Sequence, residues 1–131
     1  MNKEIRTFFI SGHRDITREE FAVNYQPAII KAIENYDAYF IVGDYQGVDI
    51  MAQNFLVDTL QYDPKRIIVC HMNPTPMFCN AKITNWVSNM PNDYARDIYM
   101  STHSDADIAF IRKGKEMSYT AQNILRRYTM Q

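Results

Sequence analysis

The chain has 131 residues, the length of one domain and enough to bury a hydrophobic core. Its formal net charge is −1 and 47% of its residues are hydrophobic, which is ordinary for a globular domain. This balance argues against a protein that attracts nucleic acid or anionic membranes through an overall basic charge. The sequence has no apolar run of membrane-spanning length and no signal-peptide core at its start, so we expect a cytoplasmic location.

The few cysteine and histidine residues do not predict a disulfide framework or a metal centre. Cys70 and Cys79 are the two cysteines of the chain. Cys70 and His71 are adjacent in a predicted strand, where neighbouring side chains point to opposite faces. We therefore expect a buried Cys70, a surface His71, and no metal or cofactor.

The first half of the chain alternates strands with helices. Residues 5–11 predict a strand, and a capping box at residues 17–20 predicts the start of a helix that Pro27 should kink or break. Residues 38–42 predict the second strand and residues 66–71 the third. Between them, apolar residues at helical spacing predict a second helix, with Val48, Met51, Ala52, Phe55, Leu56 and Leu60 on its buried face.

The second half continues the alternation after an irregular region. Pro74 and Pro76 prevent regular structure at first, and residues 81–90 fit a helix or a strand. Residues 91–104 predict a helix, residues 107–111 the fourth strand, and residues 118–128 a last helix with Ala121, Leu125 and Tyr128 facing inward. The pattern predicts an α/β fold, a Rossmann-like three-layer sandwich with a mainly parallel sheet of four or five strands.

Three predicted strand ends carry glycines together with polar residues: residues 11–15, 43–49 and 112–120. Ligands of open α/β sheets bind beyond the carboxyl ends of the strands, and helix starts there favour phosphate. Gly12 would allow a close approach and Arg14 would supply charge. Each feature also has a structural interpretation: the glycines serve turns, Arg14 pairs with Asp15, and Asp49 complements a helix dipole.

Three longer segments resemble the SLOG superfamily, and the resemblance spans almost the whole chain. They are FFISGHRD, FIVGDYQGVDIMAQNFL and YARDIYMSTHSDADIAFIRKGKEMSYTAQNIL. This Rossmann-like group contains the lonely-guy phosphoribohydrolases, the DNA-processing DprA proteins and the YpsA-type proteins. The glycine–x–arginine after the first strand, and the two glycines and aspartate after the second, resemble the YpsA-type branch in particular.

The resemblance to the phosphoribohydrolases is incomplete at the position of their catalytic acid. Arg96 stands four residues before Met100, as the arginine of that family does. Asn123 occupies the place of the family's glutamate, and residues 112–116 replace its proline–glycine–glycine turn. An amide cannot take a proton or supply the negative charge that glycosidic cleavage needs, so the resemblance implies the fold more strongly than the reaction.

The first hypothesis for function is therefore binding of a nucleotide or an ADP-ribose-like metabolite at the strand ends. The predicted ligand-binding residues are Ser11, Gly12, His13, Arg14, Gly43, Asp44, Gly47, Val48, Asp49, Arg96, Ser118, Thr120, Gln122 and Asn123. The glycines, Arg14 and the helix start at residues 118–120 would hold phosphate; the aspartates, Gln122 and Asn123 would contact ribose or base.

Two alternatives remain at the level of the sequence. One is a nucleoside monophosphate N-glycosidase that uses a displaced carboxylate, with Glu116, Asp44 and Arg96 as the catalytic candidates. The other is a protein-interaction module or one that sequesters a nucleotide. The aromatic-rich helices and residues 85–90 offer more apolar surface than the sheet hides, so we also expect a homodimer.

Overall fold

The computed structural model describes residues 2–116 and 118–130, and its architecture is the predicted α/β sandwich. The strands are β1 (Ile5–Ser11), β2 (Asp37–Gly43), β3 (Ile67–Cys70), β4 (Trp86–Val87) and β5 (Ala106–Ala109). The α-helices are α1 (Arg18–Asn24), α2 (Gln26–Asn35), α3 (Val48–Asn54), α4 (Asp93–Thr102) and α5 (Tyr119–Met130). A π-helical turn (Phe55–Thr59) extends α3, and a 3-10 turn (Pro64–Arg66) precedes β3.

The strands form one sheet in the order β4-β3-β2-β1-β5, and every pair is parallel. The chain therefore moves outward from β1 to β4 and then returns to the other side of β1 to form β5. This reversal makes the carboxyl ends of the neighbouring strands β1 and β5 the topological switch point, where ligands of such sheets bind. Because all strands are parallel, their carboxyl ends lie along one edge.

Helices cover both faces of the sheet, which explains why β1 and β2 are nearly continuous apolar runs. Alternate residues such as Phe8 and Ile10 belong to the larger core, together with side chains of α1, α2 and α3. Phe9 and Ile41 belong to a smaller cluster on the opposite face, where they pack with Met100 of α4. The prediction of three layers is confirmed.

The predicted capping box and helix break are both present. The Thr17 hydroxyl accepts a hydrogen bond from the Glu20 amide, and the Glu20 carboxylate accepts one from the Thr17 amide, each at 3.0 Å. The helix then breaks at Tyr25, and Pro27 lies in the first turn of α2, where its missing N–H costs little.

The expected orientation of α5 is wrong. Leu125 and Tyr128 of α5 are 64% and 72% exposed, while Thr120 and Asn123 are buried. The inward face of α5 is polar because its first turns border a cleft instead of the apolar core. Of residues 81–90, for which the sequence left a helix or a strand open, Trp86–Val87 forms a short strand that pairs with β3 at the edge of the sheet.

The expected surface position of His71 is also wrong. Its side chain is fully buried, and its Nε2 lies 2.8 Å from the Ser88 hydroxyl. The Trp86 ring contacts the imidazole edge to face. The segment around β4 thus covers a histidine that the strand pattern alone placed at the surface.

Candidate ligand-binding site

A cleft of about 360 Å³ lies at the carboxyl edge of the sheet, on the face covered by α4 and α5. It is built from the end of β1 and the loop after it, the start of α3 and its preceding loop, one side of α4, and the start of α5. Its lining residues are Phe9, Ser11, Gly12, His13, Arg14, Tyr45, Asp49, Asp93, Arg96, Asp97, Met100, Ser118, Tyr119, Thr120 and Asn123.

The hydroxyl of Tyr25 joins the end of β1 to the residue that follows β5. This buried group donates a hydrogen bond to the Ser11 carbonyl oxygen at 2.8 Å and accepts one from the Phe110 amide at 2.9 Å. It therefore bridges β1 and the chain leaving β5 where the two strands separate. A Cβ atom on Gly12 would lie 2.3 Å from this hydroxyl oxygen and 2.4 Å from a methyl group of Val48. Packing against Tyr25 and Val48 thus requires a glycine at position 12.

His13 joins the loop after β1 to the loop after β5. Its Nε2 accepts a hydrogen bond from the Arg112 amide at 3.0 Å. Burial and the nearby Arg112 guanidinium lower the pKa of His13, in agreement with a neutral ring whose Nε2 is an acceptor. The Arg112 side chain adds ion pairs with Asp15 and Glu20. Asp15 therefore pairs with Arg112, and the suggested pairing with Arg14 does not form.

The exposed Arg14 guanidinium lies over the ring of Tyr45, 4.4 Å from its centroid. Arg96 contacts the same ring at 4.1 Å, and the Tyr45 hydroxyl donates a hydrogen bond to Asp93. Arg14 forms no ion pair with a carboxylate of the described residues. A positioned guanidinium at the mouth of the cleft is thus available to an anion.

Arg96 is the buried cation of the cleft. Its Nη1 donates a hydrogen bond to Asp44 Oδ1 at 3.1 Å, and its Nη2 lies 3.7 Å from Asp97 Oδ1 and 3.8 Å from Asp93 Oδ1. Its Nε and the Ser11 hydroxyl are buried without a hydrogen-bond partner among the described residues. Such atoms are rare in folded proteins and are satisfied when a polar group of a ligand or water reaches them.

The carboxylates of the cleft lie in a poorly solvated environment. Burial raises the pKa of Asp49 to about 7, against the opposing effects of the Tyr45 amide and Arg96. Its Oδ2 accepts the hydrogen bond from that amide at 3.1 Å. Burial also raises the pKa of Asp97, while Arg96 and Arg126 oppose the shift. These carboxyl groups suit hydroxyl groups of a ligand better than they suit its phosphate.

The start of α5 closes the cleft on the side of β5. The Ser118 hydroxyl accepts a hydrogen bond from the Ala121 amide at 3.2 Å, which caps the helix. Asn123 is buried one turn further, where its Oδ1 accepts a hydrogen bond from Arg126 at 2.7 Å. Its side chain also hydrogen-bonds Asp97. Asn123 therefore lies beside Asp97, a carboxylate of α4.

The structure brings most of the predicted site residues together. Those that line the cleft are Ser11, Gly12, His13, Arg14, Asp49, Arg96, Ser118, Thr120 and Asn123. Those outside its lining are Gly43, Asp44, Gly47, Val48 and Gln122, and the catalytic candidate Glu116 is also outside it. Asp44 is buried and paired with Arg96, Gln122 is exposed, and Glu116 is exposed with its carboxylate accepting from the Gly114 amide.

Gly47 and Val48, both predicted to bind the ligand, lie outside the lining of the cleft and pack against the loop after β1. Gly47 has a φ of +81°, and a Cβ atom there would lie 2.5 Å from the carbonyl oxygens of His13 and Arg14. The Val48 amide donates to the His13 carbonyl oxygen at 3.3 Å, and its side chain is fully buried. The start of α3 is therefore packed against the loop after β1.

The sequence interpretation missed Tyr45, Asp93, Asp97 and the apolar lining residues Phe9, Met100 and Tyr119. A signal for the two aspartates exists, because Asp93 and Asp97 are four residues apart and share a helix face with the arginine between them. Phe9 was also detectable, since it lies two residues before Ser11 and must share its side of the sheet. Tyr45 lies in an irregular loop that offers no periodicity to interpret.

The part of the chain that the structure describes lacks two kinds of feature. It contains no cluster of histidine, cysteine, aspartate and glutamate side chains arranged to hold a metal ion. None of its helices has the length and apolar character needed to cross a membrane. The chain matches no protein-family model, no curated protein and no solved structure.

Proposed function

We propose that this protein binds a nucleotide or an ADP-ribose-like metabolite in the cleft at the carboxyl end of β1, between α4 and the start of α5. The observation that carries the proposal is the convergence of three kinds of group at the switch point. Arg14 offers a guanidinium that forms no ion pair within the described residues, the start of α5 offers amides and hydroxyls, and α4 offers the carboxylates Asp93 and Asp97. Phosphate suits the first two, and ribose hydroxyls suit the third.

The charges of the cleft favour a ligand with both an anionic and a hydroxyl-rich part. The cleft contains three carboxyl groups, of Asp49, Asp93 and Asp97, and two guanidinium groups, of Arg14 and Arg96. Its lining therefore does not favour anions in general. The buried Ser11 hydroxyl and Arg96 Nε, which have no partner among the described residues, add two polar groups beside the bound molecule. Such a mixture is typical of nucleotide sites, where a few polar groups orient the ligand.

We further propose that the domain is a divergent SLOG-type protein of the YpsA-type branch, acts in the cytoplasm and forms a homodimer. The resemblance of its strand-end motifs and the parallel sheet with its switch-point cleft support this assignment. We propose binding in preference to glycosidic cleavage because Asn123 replaces the family's acid. Of the displaced candidates, Glu116 lies outside the cleft lining and Asp44 is occupied by Arg96.

The first experiment is mass spectrometry of small molecules released from denatured protein, followed by calorimetric titration with the compound found and with ADP-ribose. Arg14→Ala should weaken binding by roughly 1.5–3 kcal/mol, the range for a charge-assisted hydrogen bond. Arg18→Ala, which removes an equal charge from the exposed start of α1, is the matched control and should bind as the unmodified protein does.

Two results would contradict the proposal. Full affinity in Arg14→Ala combined with a lowered melting temperature would make Arg14 a structural residue. Release of free base when the unmodified protein is incubated with a panel of nucleoside monophosphates would make the protein a hydrolase.

A further inference from the structure

A second depression, of about 270 Å³, adjoins the cleft at Arg14 and Tyr45. Its lining is completed by Gln46, Met77 and Phe78. Arg14 and Tyr45 also line the main cleft, so the two spaces meet at the same guanidinium and the same ring. The main cleft alone is near the lower end of the range of about 300–1,000 Å³ for ligand pockets, and the second depression nearly doubles the space.

The apolar side chains of this depression are exposed although their backbone is firmly held. Met77 and Phe78 are 52% and 43% exposed. Yet the Met77 amide donates a hydrogen bond to Asp44 Oδ2 at 2.8 Å, and the Phe78 amide donates one to the Asp44 carbonyl oxygen at 3.0 Å. An anchored backbone that presents two adjacent large apolar side chains beside a cleft is typical of a binding surface.

One carboxylate links this surface to the cleft. Asp44 Oδ2 holds the Met77 amide, and its Oδ1 accepts the hydrogen bond from Arg96. The side chain of Gln53 adds a hydrogen bond to the Phe78 carbonyl oxygen at 3.4 Å and accepts one from the Asn80 amide at 2.9 Å. The relative position of Phe78 and the buried Arg96 is therefore set by buried groups.

We propose that this depression is a second subsite, which receives the planar base of a nucleoside diphosphate sugar whose distal sugar occupies the main cleft. The base lies against Phe78 and Met77, and the diphosphate passes Arg14. The distal sugar then directs its hydroxyls to the carboxylates Asp93 and Asp97. This inference rests on the proposed function and selects a ligand with two units joined by a diphosphate, in place of a mononucleotide.

The experiment compares three probes by calorimetric titration: ADP-ribose, AMP and ribose 5-phosphate. ADP-ribose, which fills both spaces, should bind at least tenfold more tightly than ribose 5-phosphate, which fills one. Phe78→Ala should lower the affinity for ADP-ribose about tenfold. This is equivalent to about 1.4 kcal/mol of binding free energy and lies within the range for stacking of a base on an aromatic ring. The same variant should change ribose 5-phosphate affinity less than twofold.

Met77→Ala tests the second apolar residue of the subsite. Val23→Ala is its matched control, because Val23 is 73% exposed on α1 and lines neither space. Met77→Ala should selectively weaken ADP-ribose, and Val23→Ala should leave all affinities unchanged. Melting temperatures of the three variants should lie close to that of the unmodified protein, since Asp44 holds the main chain at residues 77 and 78.

The failures of the subsite and of the proposed function are distinguishable. Binding of ribose 5-phosphate together with undiminished ADP-ribose affinity in Phe78→Ala would overturn the subsite and leave the main cleft intact as a ligand site. Equal weakening of both probes by Phe78→Ala would also overturn the subsite, because it would show a general effect on the cleft. Binding of none of the three probes would overturn both proposals.

Discussion

At the scale of single residues, Tyr45 and Asp49 connect the loop after β2 to the cleft. Tyr45 contacts Arg14 and Arg96 through its ring and Asp93 through its hydroxyl. Burial raises the pKa of Tyr45 to about 12, so the hydroxyl stays protonated and donates. The Tyr45 amide in turn holds Asp49. A single residue of an irregular loop thus contacts four ionisable side chains.

The raised pKa of Asp49 predicts a pH-dependent loss of stability. The unfolded carboxyl loses its proton near pH 3.8, whereas the folded one keeps it until about pH 7. The folded state binds more protons between these values, so this contribution to the free energy of unfolding is complete below about pH 4 and falls as the pH rises to about 7. Asp49→Asn should remove this dependence, because the amide oxygen still accepts from Tyr45.

Urea denaturation at several pH values measures the effect. We expect Asp49→Asn to be more stable than the unmodified protein by about 1–2 kcal/mol at pH 8, less than the full shift implies because water reaches the carboxyl from the cleft. The two proteins should converge near pH 4. Parallel stability curves across this range would show that Asp49 titrates normally.

At the scale of elements, the start of α3 depends on close contact with the loop after β1. Gly47→Ala should therefore destabilise the protein by about 2–3 kcal/mol, because the new methyl group combines a strained φ with overlap onto two carbonyl oxygens. Thermal denaturation followed by circular dichroism measures the loss.

Gly114 provides the control for Gly47. It has a φ of +91°, but no described atom lies within 4 Å of the position of its Cβ. Gly114→Ala should thus show backbone strain alone, about 1 kcal/mol. If the two substitutions destabilise the protein equally, the loop after β1 moves away from the new methyl group at position 47 without a loss of stability.

The Tyr25 hydroxyl couples three elements, because it reaches from the break between α1 and α2 to the ends of β1 and β5. Tyr25→Phe should lower the free energy of unfolding by about 1–3 kcal/mol, because it removes the oxygen that accepts the hydrogen bond of the Phe110 amide. Tyr128→Phe removes an exposed hydroxyl and should change stability by less than about 0.5 kcal/mol. If Tyr25→Phe destabilises the protein no more than Tyr128→Phe does, water takes over the two hydrogen bonds of the Tyr25 hydroxyl.

At the scale of the whole molecule, α4 and α5 present large apolar side chains to solvent. Tyr94, Tyr119, Leu125 and Tyr128 are each more than 60% exposed. We expect two copies of the chain to bury this surface against each other in a homodimer. Light scattering should then give twice the chain mass of 15.4 kDa. Leu125→Glu should shift the protein toward monomer, and Val23→Glu on the other face should not. A mass of 15.4 kDa for the unmodified protein at tens of micromolar would contradict the prediction of a homodimer.

The fold was predictable because its signals are local. The continuous apolar runs of β1 and β2, the capping box at Thr17 and the break near Pro27 depend on residues close in the chain. The α5 prediction failed because helical spacing identifies an apolar stripe without showing what lies opposite it. Leu125 and Tyr128 form such a stripe, but the neighbouring element presents Asp97 and Arg96 to the other side of the helix.

The sequence by itself determined the layered parallel architecture and the edge of the sheet where polar residues collect. Both follow from periodicity and from the rule that parallel strands end together. Only the tertiary structure decided which polar residues meet. Tyr25 and Phe110 are 85 residues apart, and Asp44 and Arg96 are 52 apart. Whether such groups touch depends on strand order, helix rotation and the space left by Gly12 and Gly47, which no local pattern contains.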